Sequence, residues 1–379
     1  MVKWQQWRKT IGLDALEYPV PVHANSLWYA LGGISLTCFG VAFLTGMILT
    51  QFYNPTPQVA HASVRYMSAS PGLSFIRALH HWSANLGFIV LIAHMLRVMV
   101  TGAFRPPRTA IYIVGVVMFV IAFQMYFTGT VLKWDQEGYE AMIHFVAVNK
   151  LLRPLGVVFQ EDFTLSTSML ARLYALHVGV FPALFLCLVF LHVLFVKHFG
   201  IAPKRFQSKE DYRASLSSGE TFLNHLNKLM KYGALVLAIL FLLSFLFKPT
   251  LLDAPKPGIE VTKPPWLFWI FYPIESAIGI VGILVGSIVF LGGLILVPIL
   301  GHLIEDENRL YKVINGLVGT KTAIFRLTGM FGKYDLGAFQ IESDDFTQVL
   351  NIPSDISPGT YRLTVEGGGK SAKVVINVN

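Results

Sequence analysis

Charge and cysteine are scarce in this chain of 379 residues: 14% of the residues are charged, and Cys38 and Cys187 are the two cysteines. Both cysteines lie inside apolar runs, so there is no disulfide framework and no Cys-x-x-Cys or Cys-x-x-Cys-His pattern for thiolate chemistry. The formal charge of +8 does not point to nucleic acid. Its basic residues border apolar runs instead of forming a stripe, and no nucleic-acid motif accompanies them. A cleavable leader is not expected either, because Lys3, Arg8 and Lys9 precede a mixed, proline-containing segment and not a short apolar core.

What the chain has in quantity is apolar surface. With 54% hydrophobic residues and a mean hydropathy of +0.57, it is expected to be a polytopic membrane protein with small extramembrane parts. Six apolar runs read as spans, at about 26–52 (A), 75–101 (B), 110–132 (C), 173–196 (D), 232–247 (E) and 276–300 (F). Pro106 and Pro107 break the chain between B and C, Pro182 predicts a kink in D, and E is short enough that Lys231 and Lys248 are expected to snorkel. The connection after C is expected to hold an amphipathic stretch near 139–152. The N-terminus, the B–C and D–E connections and the tail to Lys333 carry 17 Lys and Arg; the other three connections carry fewer than half as many. Both termini are therefore expected on the cytoplasmic side. The segmentation is 1–25, a surface segment; 26–200, a four-helix domain; 201–231, a linker; 232–302, a two-helix domain; 303–334, a surface helix; and 335–379, a small β module. The last is read from the alternating GTYRLTVEGGGKSAKVVINVN.

Histidines are placed where they cost most. Span B carries His80, His81 and His94, with Arg77 and Arg97 nearby, and span D carries His177 and His192. Ionisable groups at membrane depth mark functional sites by default, because each needs a partner. His80 and His94 are 14 residues apart, and His177 and His192 are 15 apart. Both steps are close to four helical turns, so each pair shares a face, separated by roughly 21–23 Å. Two such helices, antiparallel and facing, make two stacked sites with one imidazole from each helix. A flat cofactor taking two axial imidazoles, haem, fits that arrangement. A lone intramembrane histidine is as readily a hydrogen-bonded packing residue; four in two matched pairs are harder to explain that way. Gly32 and Gly46 in span A and Gly115 and Gly129 in span C repeat the 14-residue step. That spacing suits close approach of a cofactor, or helix packing through small residues.

The motifs RALHHWSA and AHMLRVMVTGAFRPPR in span B, GTVLKWDQEGY after C and RLYALH in D resemble cytochrome b of quinol:cytochrome c oxidoreductase complexes, closest to the b6 type. Spans E and F resemble a subunit IV fused to it. The resemblance implies an all-α polytopic membrane fold, a haem-binding four-helix bundle plus two further transmembrane helices, with the β module appended. It implies two b-type haems as cofactors, on His80 with His177 and on His94 with His192. Gly32, Gly46, Gly115 and Gly129 would face them, Arg77 and Arg97 would neutralise propionates, and His81 would be a propionate or surface partner. The implied activity is that of a quinol:electron-acceptor oxidoreductase, moving electrons between quinol-oxidising and quinone-reducing sites with proton translocation. The implied partners are a Rieske-type iron–sulfur or other high-potential subunit, a cytochrome c subunit, quinone and lipid, in a homodimeric complex of a bacterial inner membrane. Where the family has Pro-Glu-Trp-Tyr, this chain has Pro264, Pro265, Trp266 and Leu267. Glu260, Glu275 or Asp135 is then the candidate proton acceptor, and menaquinone the favoured quinone. His23, Lys197 and His198 are candidates for the quinone-reducing pocket. Tyr29-Ala30-Leu31-Gly32-Gly33 lacks the cysteine that bonds an extra haem in b6 proteins, so no covalent haem is expected. Two other readings remain: a dihaem membrane anchor passing electrons between quinone and an attached dehydrogenase without bifurcation, and a proton-relay transporter.

Overall fold

The computed structural model describes residues 10, 17–204, 209–218, 220–317, 323–329, 332–339, 356, 359–367 and 370–378. The opening WQQWRK lies outside these. The described chain divides into two compact units, Met1–Ile295 and Leu296–Asn379. In order, the helices are α1 (Leu27–Leu49), α2 (Ala60–Ala69), α3 (Pro71–Val100), α4 (Thr109–Leu132), α5 (Gln136–Leu151), α6 (Met169–Ala175), α7 (Phe181–Phe199), α8 (Lys209–Leu216), α9 (Phe222–Leu246), α10 (Tyr272–Ile278) and α11 (Ile280–Leu317). A π-helical turn, Leu176–Val180, joins α6 to α7 without a break.

Six helices among the described residues are long and apolar enough to cross a membrane, the expected number. They are apolar on all sides, and their outer faces stay uncovered within this chain. Phe245 is 73% exposed, Val289 67% and Leu235 61%. Side chains of that size in that exposure require an apolar solvent. Packing inside the first unit is layered. Ala30, Ile34 and Cys38 of α1 meet Leu79 of α3 and Val236 and Leu240 of α9, while Val131, Trp134, Met142, Val146, Leu170 and Leu173 close the end near α5 and α6.

Three expectations need correction. Span E is not sixteen residues long, and 201–231 is not only a linker: α8 lies within it and α9 begins at Phe222. The polar first turns of α9 are held by a cap, a local ion pair and a distant partner. The Thr221 hydroxyl caps Asn224 N, Lys228 pairs with Glu220 at 3.3 Å, and His225 Nδ1 lies 3.2 Å from Asn25 Oδ1. The 303–334 surface helix is replaced by a continuation of α11 to Leu317 followed by strands β1 (Ala323–Gly329) and β2 (Gly332–Phe339). AIFRLTG alternates with a period of two, which suits a strand.

In the second unit, β3 (Gly359–Gly367) and β4 (Lys370–Val378) form the expected hairpin, and the sheet order is β2-β1-β3-β4, antiparallel throughout. Phe325, Tyr361, Leu363 and Val365 are buried, and Arg326 bridges neighbouring strands to Glu366 at 2.9 Å.

The segment between α9 and α11 is pinned to the start of α5. Asp135 caps that helix, accepting from Gly138 N at 3.0 Å and from Leu252 N at 3.2 Å. Gln136 N donates to Asp253 O, its Oε1 accepts from Lys256 N, and its amide donates to Ile259 O. One turn on, Glu140 accepts from Val261 N, Thr262 N and the Thr262 hydroxyl.

Candidate functional site

His80 projects from α3 and His177 from the π turn. Their rings face each other with centroids 6.3 Å apart and planes at 72°. Each ring is oriented through Nδ1. His80 Nδ1 donates to Ala42 O at 2.8 Å, with Thr45 Oγ1 at 3.2 Å, and His177 Nδ1 lies 2.9 Å from Thr128 Oγ1. Thr128 donates its own hydroxyl to Gln124 O, so it accepts from His177. A proton held on Nδ1 leaves the Nε2 lone pair for another partner, the usual orientation of a metal-binding imidazole.

The spacing permits such a partner. An imidazole–metal bond is about 2 Å and the ring centre lies roughly 1 Å behind the nitrogen, so two rings on opposite sides of one ion would have centres about 6 Å apart. Among the described residues, no three His, Cys, Asp or Glu side chains converge as a bare ion would require. Two imidazoles alone suit an ion that brings its own equatorial ligands.

Four glycines complete the frame. A Cβ on Gly46 would stand 3.1 Å from His80 Cε1, one on Gly129 3.1 Å from His177 Cε1, one on Gly32 3.1 Å from His94 Cε1, and one on Gly115 3.6 Å from His192 Cε1. The glycines therefore sort the histidines into two levels, with α1 and α4 closing over α3 and α7. At the second level, Gly32 and Gly115 stand against His94 and His192 in the same way, and among the described residues His94 Nδ1 is buried without a hydrogen-bond partner. The π turn explains the unequal steps. It contains His177 and inserts one extra residue, so fifteen residues to His192 subtend what fourteen subtend on α3.

The remaining candidates fall into different places. The Arg77 guanidinium donates to Pro249 O at 2.8 Å and Thr250 O at 3.2 Å, so it anchors the loop after α9. Arg97 is 7% exposed, its guanidinium lies 4.7 Å from the centre of the Tyr29 ring, and its Nε has no hydrogen-bond partner among the described residues. His81 packs on Trp82, with Nε2 3.4 Å from Asn85 Nδ2. Trp266 donates its indole N–H to Asn85 Oδ1 at 2.7 Å, and Tyr126 donates to the same oxygen at 3.0 Å. Pro264 O accepts from Trp269. Asp135 has both oxygens engaged, by Gly138 and Leu252, with Lys133 3.4 Å away. Glu260 and Glu275 come together on His144, a residue that the motif reading passed over. At the other end, His23 is buried and its Nε2 donates to Ala202 O at 2.9 Å. Burial lowers its pKa, and Lys204 and Arg97 lower it further against the Ala202 hydrogen bond. Lys197 lies 5.7 Å from the Tyr18 ring centre, and His198 is exposed beside Phe199. Sequence reasoning also missed Thr45 and Thr128, although each precedes a framing glycine in a repeated Thr-Gly pair.

A family model described as "Cytochrome b/b6/petB" matches residues 15–200. Cytochrome b6 of Heliobacterium modesticaldum is 35% identical over 197 residues, 51% of this chain and 92% of that protein. Cytochrome b6 of Mastigocladus laminosus is 37% identical over 194 residues, 50% of this chain and 90% of that protein. A solved chain from a "Hyperthermophilic respiratory Complex III" shares the fold with a TM-score of 0.65 at 22% identity, covering 79% of this chain and 83% of that one. The two-level frame of histidines and glycines thus stands in a segment whose relatives match over nine-tenths of their length, and the chain belongs to the cytochrome b/b6 family of haem b-binding, membrane-embedded electron-transfer subunits.

Proposed function

We propose that the chain is the dihaem cytochrome b subunit of a quinol:electron-acceptor oxidoreductase, with one b haem held by His80 and His177 and the other by His94 and His192. The observation that carries this reading is the fourfold match of glycine to histidine at two levels, together with the 6.3 Å separation of the His80 and His177 rings. When bound, each haem supplies a reversible one-electron carrier, so the pair offers a route between the two faces of the membrane.

The residues have separable tasks. Thr45, Ala42 and Thr128 orient two imidazoles and hold their Nδ1 protons, which strengthens Nε2 as a ligand. Arg97 places a buried cation near the His94 level, and Arg77 ties the loop after α9 to α3. Asp135, Gln136 and Glu140 hold that loop over the His80 end, where quinol is oxidised against Trp266 and the aromatic residues around Tyr126 and Phe268. Quinone is reduced at the end bearing His23 and Lys197, so protons are released on one side and taken up on the other. Its partners would be a Rieske-type or other high-potential subunit and a cytochrome c subunit, in a homodimeric complex with both termini cytoplasmic. Menaquinone is the preferred substrate because the family's motif glutamate is replaced by Pro265. The dehydrogenase-anchor reading is not favoured, since the relatives that match are cytochrome b6 proteins.

The test is to purify the complex, measure haem b per polypeptide chemically and add a naphthoquinol. Two haems per chain, reduced by the quinol, are expected. One haem per chain, or two that only dithionite reduces, would overturn the reading.

A further inference from the structure

His144 lies on the inner face of α5, under the loop that Glu140 pins. Its Nδ1 donates to Glu140 O at 2.8 Å, which leaves Nε2 as the basic nitrogen. That nitrogen is 2.8 Å from Glu275 Oε1 and 3.1 Å from Glu260 Oε1. Two acceptors this close require a proton between them, so the imidazole and a carboxyl share one. Exposure rises along the group: 23% for Glu275, 27% for His144 and 68% for Glu260. Glu275 follows Ile274, which with Phe271, Val285 and Phe290 lines an apolar cleft of about 220 Å³. An apolar wall ending at a half-buried carboxyl fits a hydroxylated aromatic ring whose proton must be removed.

We propose that His144, between Glu275 and Glu260, forms a proton relay that takes the proton of a quinol hydroxyl from the site and delivers it to water. The inference rests on the quinol-oxidising reading above. The quinol O–H bond breaks as an O–H bond forms at Glu275. The proton already shared with Nε2 passes to Glu260 and then to water, so one proton enters, one leaves and the charge of the group is restored. The electrons go to the acceptors named above, a high-potential partner and a b haem. Other ionisable groups around His144 are otherwise engaged or distant from this line. Glu140 is bound by Thr262, Glu137 pairs with Lys133, Tyr126 is bound to Asn85, and Lys256 pairs with Asp253; Lys263 and Tyr272 complete the covering segment.

The test uses the whole complex with menadiol as donor, comparing wild type with E275Q, E275D, H144N and E260Q. E275Q and H144N are expected to lower the maximal rate roughly a hundredfold, with KM for menadiol and the haem spectrum unchanged. Their rates should climb with pH where the wild type has levelled off, because solvent base must then take the proton. E275D is expected to recover most of the rate, E260Q to lose less than E275Q, and the redox-difference infrared spectrum of E275Q to lack a carboxyl band present in wild type. Wild-type rates and pH profiles in E275Q and H144N would overturn the relay alone. An E275D as impaired as E275Q, with a disturbed haem spectrum, would make Glu275 structural and overturn it too. A wild type that does not oxidise menadiol would overturn the functional reading, and the relay with it.

Discussion

At the scale of single residues, the histidine frame depends on hydrogen atoms that stand where carbon would collide. Gly46 has an imidazole 3.1 Å from the position a Cβ would take, whereas Gly40, two turns earlier on the same helix, has nothing within 4 Å of its own. Gly46→Val is therefore expected to displace His80 and remove one b-type component from the visible spectrum, and Gly40→Val to leave both in place. Equal spectra for the two variants would contradict the frame. The glycine spacing was legible because a 14-residue repeat survives inspection of the bare chain. His144 was not, because a histidine in an amphipathic stretch carries no pattern of its own; only the fold brings Glu260, 116 positions later, and Glu275 onto it.

At the scale of elements, the π turn and the pinned loop make separate predictions. If the turn absorbs one surplus residue between His177 and His192, then deleting Gly179, where an added Cβ would meet nothing within 4 Å, should leave a regular helix with a 14-residue step and both haem signals. Deleting Leu91, between His80 and His94 in the regular α3, should cost one signal. Loss of a signal from the Gly179 deletion would show that the turn does not carry the extra residue. For the loop, burial by itself raises the Glu140 pKa, but hydrogen bonds from Thr262, Gln136 and Val261 outweigh it and hold the carboxyl below its ordinary value of 4.5. A depressed folded-state value means the pinning is fully present above about pH 4.5 and is lost as pH falls through the lower folded-state value. Proteolysis within 253–263 is accordingly expected to accelerate below that pH in wild type, and at all pH values in Glu140→Gln. A pH-independent rate equal in both would contradict the assignment. The helices themselves were readable from apolar length. The start of α9 was not, because His225 and Lys228 look like linker until Asn25 and Glu220 supply their partners. The boundary near 323 was missed for a related reason: the alternation in AIFRLTG is too short to stand out from the helical spacing around it until β3 pairs with it.

At the scale of the whole molecule, six long apolar helices leave large apolar side chains uncovered, and four of these helices bring glycines against histidines at two levels. Family and fold could be read from the sequence because the histidine and glycine repeats are long-range and regular. The quinol end could not, since its contacts join segments more than a hundred residues apart. The central claim is that the four imidazoles act as two pairs. A redox-titrated visible spectrum of the purified protein tests it most directly, run on wild type and on variants replaced at His94 or His192. Two b-type components with separate midpoint potentials are expected, with the same one missing from both variants; a single component in wild type, or variants that lose different components, would contradict the pairing.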